Sequence, residues 1–229
     1  MKNLNLFFVG IVLLSLSCKT DKKEEGQKKE VVEPTSVLEK VANAHGYENW
    51  KNIAQIAFTF NVDRDSTHFE RSWIWKIKSN EVTHISGTDS LTYNRKNMDS
   101  LALKTNGGFI NDRYWLLAPF NLIWDANNFE HTLVTNDTAP ISKKSMQKLT
   151  IVYSNEGGYT PGDAYDFYFG DDYVIREWVF RKSNQAEPSM TTTWENHIEN
   201  NGIKFATDHK KDKENFNLYF TNVVATPTN

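Results

Sequence analysis

The 229-residue chain has one cysteine, Cys18. No intrachain disulfide can form, so the fold must stand on its own core even in an oxidising compartment. Paired-cysteine redox motifs and cysteine-rich zinc sites are excluded with it. An excess of either charge is also missing. Lys and Arg number 26 against 29 Asp and Glu, for a net charge of -3 and a pI near 6.1. That balance argues against nucleic acid as a partner. Beyond the first 17 residues no apolar run is long enough to cross a membrane.

Catalytic and metal-binding signatures are equally sparse. The histidines, His45, His68, His84, His131, His197 and His209, form no HExxH and no pair at helical ligand spacing. His45 is expected at a helix C-terminus, where a partial negative charge favours it. The other five are expected on the surface or across strands. Asp163, Asp166, Asp171 and Asp172 lack the spacing of a calcium loop and suit turn chemistry instead. No serine stands in a nucleophile elbow. Neither Gly107-Gly108 nor Gly157-Gly158 leads into a helix with a lysine, as a phosphate loop would. The expectation is therefore a protein that is not an enzyme, with no cofactor and no metal.

What is present begins at the N-terminus. Lys2 and the apolar run Leu4 to Leu16, roughly 13 residues, have the form of a secretory signal and fall short of the ~20 a spanning helix needs. The run ends in Ser15-Leu16-Ser17-Cys18, small residues before the lone cysteine. This resembles the lipobox of bacterial lipoproteins, with Ser15 where a large aliphatic is usual. An ordinary cleaved signal with an incidental cysteine is the alternative. Residues 1–17 are read as signal peptide, and 18–33 as a lipidated Cys18 followed by a charged tether. The tether has apolar side chains only at Val31 and Val32, too few to offset ordering entropy. Its flexible reach is of order 20 Å. The expected location is the cell envelope, anchored by acyl chains, with the outer membrane the favoured membrane.

Residues 34–229 then form one domain, about 195 residues in length. Ser36 and Glu39 have the spacing of a capping box, Val37, Leu38, Val41 and Ala42 make a helical stripe, and Gly46 is a candidate left-handed terminator. From Ile56 the period changes to two. Alternating runs separated by turn residues predict about ten antiparallel strands in hairpin order, as a sandwich, a barrel or one strongly curved sheet. One segment breaks the pattern. Tyr114 to Trp124 is apolar on every helical face and contains Pro119, which predicts a helix over Asn111 to Ala118 and a further turn beyond. A helix apolar all round must be covered all round. One sheet covers one side, so the other needs a lid, a ligand or the membrane. Complete burial as a plug in a closed core is the alternative.

Three segments carry a family resemblance: Ala44-His45-Gly46-Tyr47-Glu48-Asn49-Trp50-Lys51-Asn52-Ile53, the run Asp112 to Phe120, and the hairpin Asp163 to Phe180. Together they resemble Bacteroidetes envelope lipoproteins of unassigned function. These are similar in architecture to the outer-membrane lipoprotein-sorting proteins LolA and LolB. The resemblance spans Ser36 to Val224, and none of its motifs is catalytic. It implies an unclosed barrel, a LolA/LolB-like half-barrel with a helical lid or plug, whose concave face forms an apolar cavity for acyl chains. The candidate lining residues are Phe58, Phe60, Trp73, Trp75, Tyr114, Trp115, Leu117, Phe120, Trp124, Phe167, Trp178 and Trp194. Burying one methylene is worth about 0.8 kcal/mol, so a chain of about 16 carbons offers roughly 12 kcal/mol before ordering costs. The expected partners are the membrane, through acyl chains on Cys18, and a lipid or other apolar ligand. A protein-interaction module with a closed core is the alternative.

Overall fold

The structure is a computed structural model that describes residues 35–228. The signal, Cys18 and the tether lie outside the described residues. Helix α1 (Val37–Ala44) opens on the anticipated capping box: Ser36 Oγ accepts from the Glu39 amide, and the Glu39 carboxylate accepts from the Ser36 amide. Gly46 follows at φ 86°, where any side chain would strike the carbonyl of Gly202. A 3-10 turn, Tyr47–Asn52, leads into the sheet.

Twelve strands follow, all paired antiparallel. They are β1 (Ile53–Arg64), β2 (Thr67–Lys76), β3 (Glu81–Ser86), β4 (Asp89–Asn94), β5 (Phe129–Thr138), β6 (Ser145–Tyr153), β7 (Ala164–Phe169), β8 (Ile175–Arg181), β9 (Met190–Thr193), β10 (Glu195–Asn200), β11 (Ile203–Lys210) and β12 (Phe216–Pro227). Seven pair in the order β10-β11-β12-β1-β2-β3-β4, and five in the order β5-β6-β7-β8-β9. The two sheets run into one another at Trp194, the single residue between β9 and β10. Its amide donates to the Arg176 carbonyl on β8 (2.7 Å), and Lys210 of β11 donates to Thr193 Oγ1 (3.1 Å). The result is one curled sheet whose two ends, β4 and β5, do not pair.

Helix α2 (Ser100–Trp124) connects those two ends, and its C-terminal half lies within the core. It is 25 residues long, where the sequence predicts a helix only from Asn111. Asp99 caps it, accepting from the Ala102 amide at 2.8 Å. Its first ten residues mix Gly107-Gly108 with exposed leucines and carry no apolar period, so they give no sequence signal. The helix breaks at Leu117 (φ -123°, ψ 22°), two residues before Pro119, whose ring crowds the Trp115 carbonyl and offers it no N–H.

The expectation that a single sheet covers only one side of this helix is corrected by the curl. Phe109 packs on Trp73 and Trp75 of β2, while Tyr114 and Trp115 pack on Trp178 of β8. Residues Tyr114 through Leu122 are all buried. Twelve strands stand where the sequence predicts about ten: Phe129–Thr138 is a full strand around its weak Thr132–Val134 signal, and the Met190–Ile198 run is divided in two at Trp194.

Candidate functional site

An ion pair ties α2 to the sheet. Arg71 on β2 holds Asp112 bidentately, with Nε donating to Oδ2 (2.6 Å) and Nη2 to Oδ1 (2.7 Å). Trp73 Nε1 donates to the same Oδ2 at 2.8 Å, and Asn111 Nδ2 to Oδ1 at 3.1 Å. Asp112 is wholly buried, so four donors replace its lost water. Gly108, one turn earlier, leaves the room this needs, since a Cβ there would come within 2.9 Å of Arg71 Nη1.

The structure brings the twelve candidate lining residues into one core. Trp124 is half-buried and the other eleven are buried. Two aromatic groups stand out within it. At one end Trp50, Trp75, Phe120 and Trp124 meet at ring separations of 5.1 to 6.3 Å. At the other, Trp115 lies 4.3 Å from Trp178, and Trp178 lies 5.7 Å from Trp194. Phe58 and Phe60 on β1 face Phe220 of β12, and Phe167 on β7 packs beside Trp178.

The second group opens outward. A groove of about 230 Å³ is lined by Asn111, Trp115, Tyr159, Thr160, Tyr165, Trp178, Phe180 and Met190. Only Trp115 and Trp178 of these are among the anticipated residues. Tyr159 comes from the loop between β6 and β7 and stacks flat on Tyr114 at 3.7 Å, while its hydroxyl meets Asn111 Oδ1 at 3.4 Å. A tyrosine set among Gly157, Gly158, Pro161 and Gly162 is a signal the sequence does carry, because a ring on such a loop has to cover something. Several polar atoms near the groove are buried without a hydrogen-bond partner among the described residues: Tyr114 Oη, Trp178 Nε1 and Trp194 Nε1. Burial pushes the Tyr114 phenol well above its ordinary range.

Two histidine expectations are corrected. His45 does cap α1, but it is buried, and desolvation lowers its pKa to about 4. It is therefore neutral and bonds the Val41 carbonyl at 2.9 Å, so no imidazolium meets the helix dipole. His209 is not on the surface. It packs between Trp115, Trp194 and Phe220, and burial drops its pKa to about 3. The aspartates serve separate local contacts. Asp166 accepts from Thr150 and pairs with Arg181, Asp172 pairs with Arg176, and Asp163 accepts from the Ser183 amide.

No family model and no curated protein matches the chain. Among solved structures, a LolA-superfamily protein from Nitrosomonas europaea aligns over 84% of this chain and 93% of its own, with TM-score 0.50 and 12% identity. The fold is LolA-like. A DUF1329-family protein from Desulfovibrio piger aligns over 83% of this chain and 94% of its own, at TM-score 0.45 and 9% identity. At these identities the likeness is one of architecture.

Proposed function

We propose that this protein is a non-catalytic envelope module that binds an apolar ligand, with an acyl chain the best fit, between α2 and the β7–β9 side of its half-barrel. The observation that supports this most is the groove beside Trp115 and Trp178. It is open to solvent and walled by rings, one of which, Trp178, has a buried Nε1 without a hydrogen-bond partner among the described residues. Its volume of about 230 Å³ falls below the ~300–1,000 Å³ usual for small-molecule sites. A long chain therefore enters here and extends only as α2 yields. The break at Leu117 and Pro119 divides that helix at the level of the groove, which makes it the natural hinge.

The test is titration of the full chain with a fluorescent long-chain fatty acid. Phe180 lines the groove and is half-buried, so Phe180→Ala should weaken binding at least tenfold and leave the melting temperature nearly unchanged. A parent that binds no fatty acid ends this reading in favour of the second one. That second reading is a protein-interaction module. It draws support from the filled concave face and from β5, an end strand exposed along most of its length, with Leu133 and Val134 outward.

Anchoring belongs to the same proposal. Cys18 would carry the acyl chains, and residues 19–33 would give the domain its reach from the membrane. More than one acyl chain is needed for stable attachment. Cys18→Ala should therefore abolish palmitate labelling and move the protein out of the membrane fraction. Unchanged fractionation would show that something else holds it there.

A further inference from the structure

Two arginines stand where α2 bridges the ends of the curled sheet. Arg95 directly follows β4, and Arg113 lies on α2. The Arg113 guanidinium lies over two indoles, 5.1 Å from Trp124 and 5.5 Å from Trp75. Its Nε is buried and has no hydrogen-bond partner among the described residues. Arg95 lies over Phe109 at 5.3 Å, with Nε on Asn106 Oδ1 (3.0 Å) and Nη1 on Asn80 Oδ1 (3.3 Å). Phe109 and Arg113 are one helical turn apart, and the Phe109 ring touches Trp75 at 5.7 Å, so the two cations share one aromatic floor.

Neither arginine has a carboxylate within ion-pair distance among the described residues. Arg71, by contrast, has Asp112. The negative charge that acts on Arg113 is that of Asp125, whose Oδ2 already accepts from Asn121 (2.9 Å) and Tyr153 (3.1 Å). Burial, reinforced by the charge of Arg95, lowers Arg113 to about 10, and burial lowers Arg95 as well. Both stay cationic at neutral pH. Desolvated cations set close together without a counter-ion are disfavoured unless something anionic completes them. Aromatic faces hold a guanidinium in place and leave its N–H edge available, which suits a planar fork to two oxygens of one anion.

We propose that Arg95 and Arg113 form a binding site for an oxyanion of the phosphate class, at the gap between the ends of the sheet. Arg113 lies on the opposite side of α2 from Asn111 and Trp115, so this site stands whether or not the groove takes an acyl chain. The phosphate can belong to a lipid head group or be free in solution.

Trp75 and Trp124 flank the site and report on it. The full chain in a neutral detergent is titrated with inorganic phosphate at constant ionic strength, and tryptophan emission is read. A saturable change is expected, weakened at least tenfold in Arg113→Met, which keeps an unbranched apolar stem between the indoles, and in Arg95→Met. Lys96→Met should leave it unaltered. If Arg113→Met does not fold, Arg95→Met alone decides. Phosphatidic acid doped into the micelles is the second arm. Tighter binding than inorganic phosphate, with the same arginine dependence, assigns a lipid head group, and equal or weaker binding assigns free phosphate. No saturable response to either probe, or a response that survives both arginine substitutions, overturns the proposal.

Discussion

Replacing Asp112 with alanine should destabilise the domain by about 3–5 kcal/mol, the usual range when one partner of a buried ion pair is removed. The loss has two sources. The Arg71 guanidinium, three-quarters covered, is left without its counter-charge, and the buried Trp73 indole N–H is left without an acceptor. For a domain of this length that corresponds to a fall in melting temperature of roughly 10 °C. Asp112→Asn keeps one acceptor oxygen and should lose less. Arg71→Met should cost about as much as Asp112→Ala, because it strips a wholly buried carboxylate of its cation and of two of its four donors. Urea unfolding of the three variants reads the order directly. A loss below 1 kcal/mol for Asp112→Ala would mean that α2 is held by its apolar contacts alone.

Stability should also fall steeply on mild acidification. His45 and His209 are buried as neutral rings, with pKa values of about 4 and about 3 in the fold against 6.5 for an ordinary histidine. Below pH 6.5 the unfolded chain takes up two protons that the folded chain refuses. Each such group removes about 1.4 kcal/mol per pH unit until its folded value is reached. The contribution is intact above pH 6.5 and is lost as pH falls toward 4 and then 3. From pH 6.5 to 5 the two together remove about 4 kcal/mol. His84 and His197 are lowered too and act in the same direction. The exposed His68, raised by its bond to Asp63, acts in the opposite one. Urea midpoints should hold from pH 7.5 to about 6.5 and drop from there to pH 5, and His209→Phe should flatten that slope by about half. A flat profile over that window would show that water reaches both rings.

The strands were legible because their side chains alternate at period two. The α1 cap was legible because Ser36 and Glu39 stand three apart, as the two observed bonds require. The first half of α2 was not. Its stabilising features are a cap at Asp99, the tolerance of Gly108 for a guanidinium, and the Asp112–Arg71 pair, and two of those three depend on a strand 40 residues away. The burial of Tyr114–Leu122 on every side was hidden for a different reason. A local apolar pattern says that a helix needs cover, but whether a flat sheet or a curled one supplies it is a property of twelve strands at once. The groove residues Tyr159, Phe180 and Met190 come from a loop and two strands, and only the curl of the sheet round α2 brings them to Trp115. His209 reads as one more polar position in an alternating run, and its neighbours Trp115, Trp194 and Phe220 are distant or set by a corner.

The pairing of β1 with β12 constrains the order of events in synthesis. These are neighbouring interior strands of the larger sheet, and Asn61 bonds Thr221 across 160 residues of chain. Closing so long a loop is slow, and nothing local substitutes for it. Until its last strand is available the chain can form hairpins and α1 but cannot assemble the sheet that encloses α2.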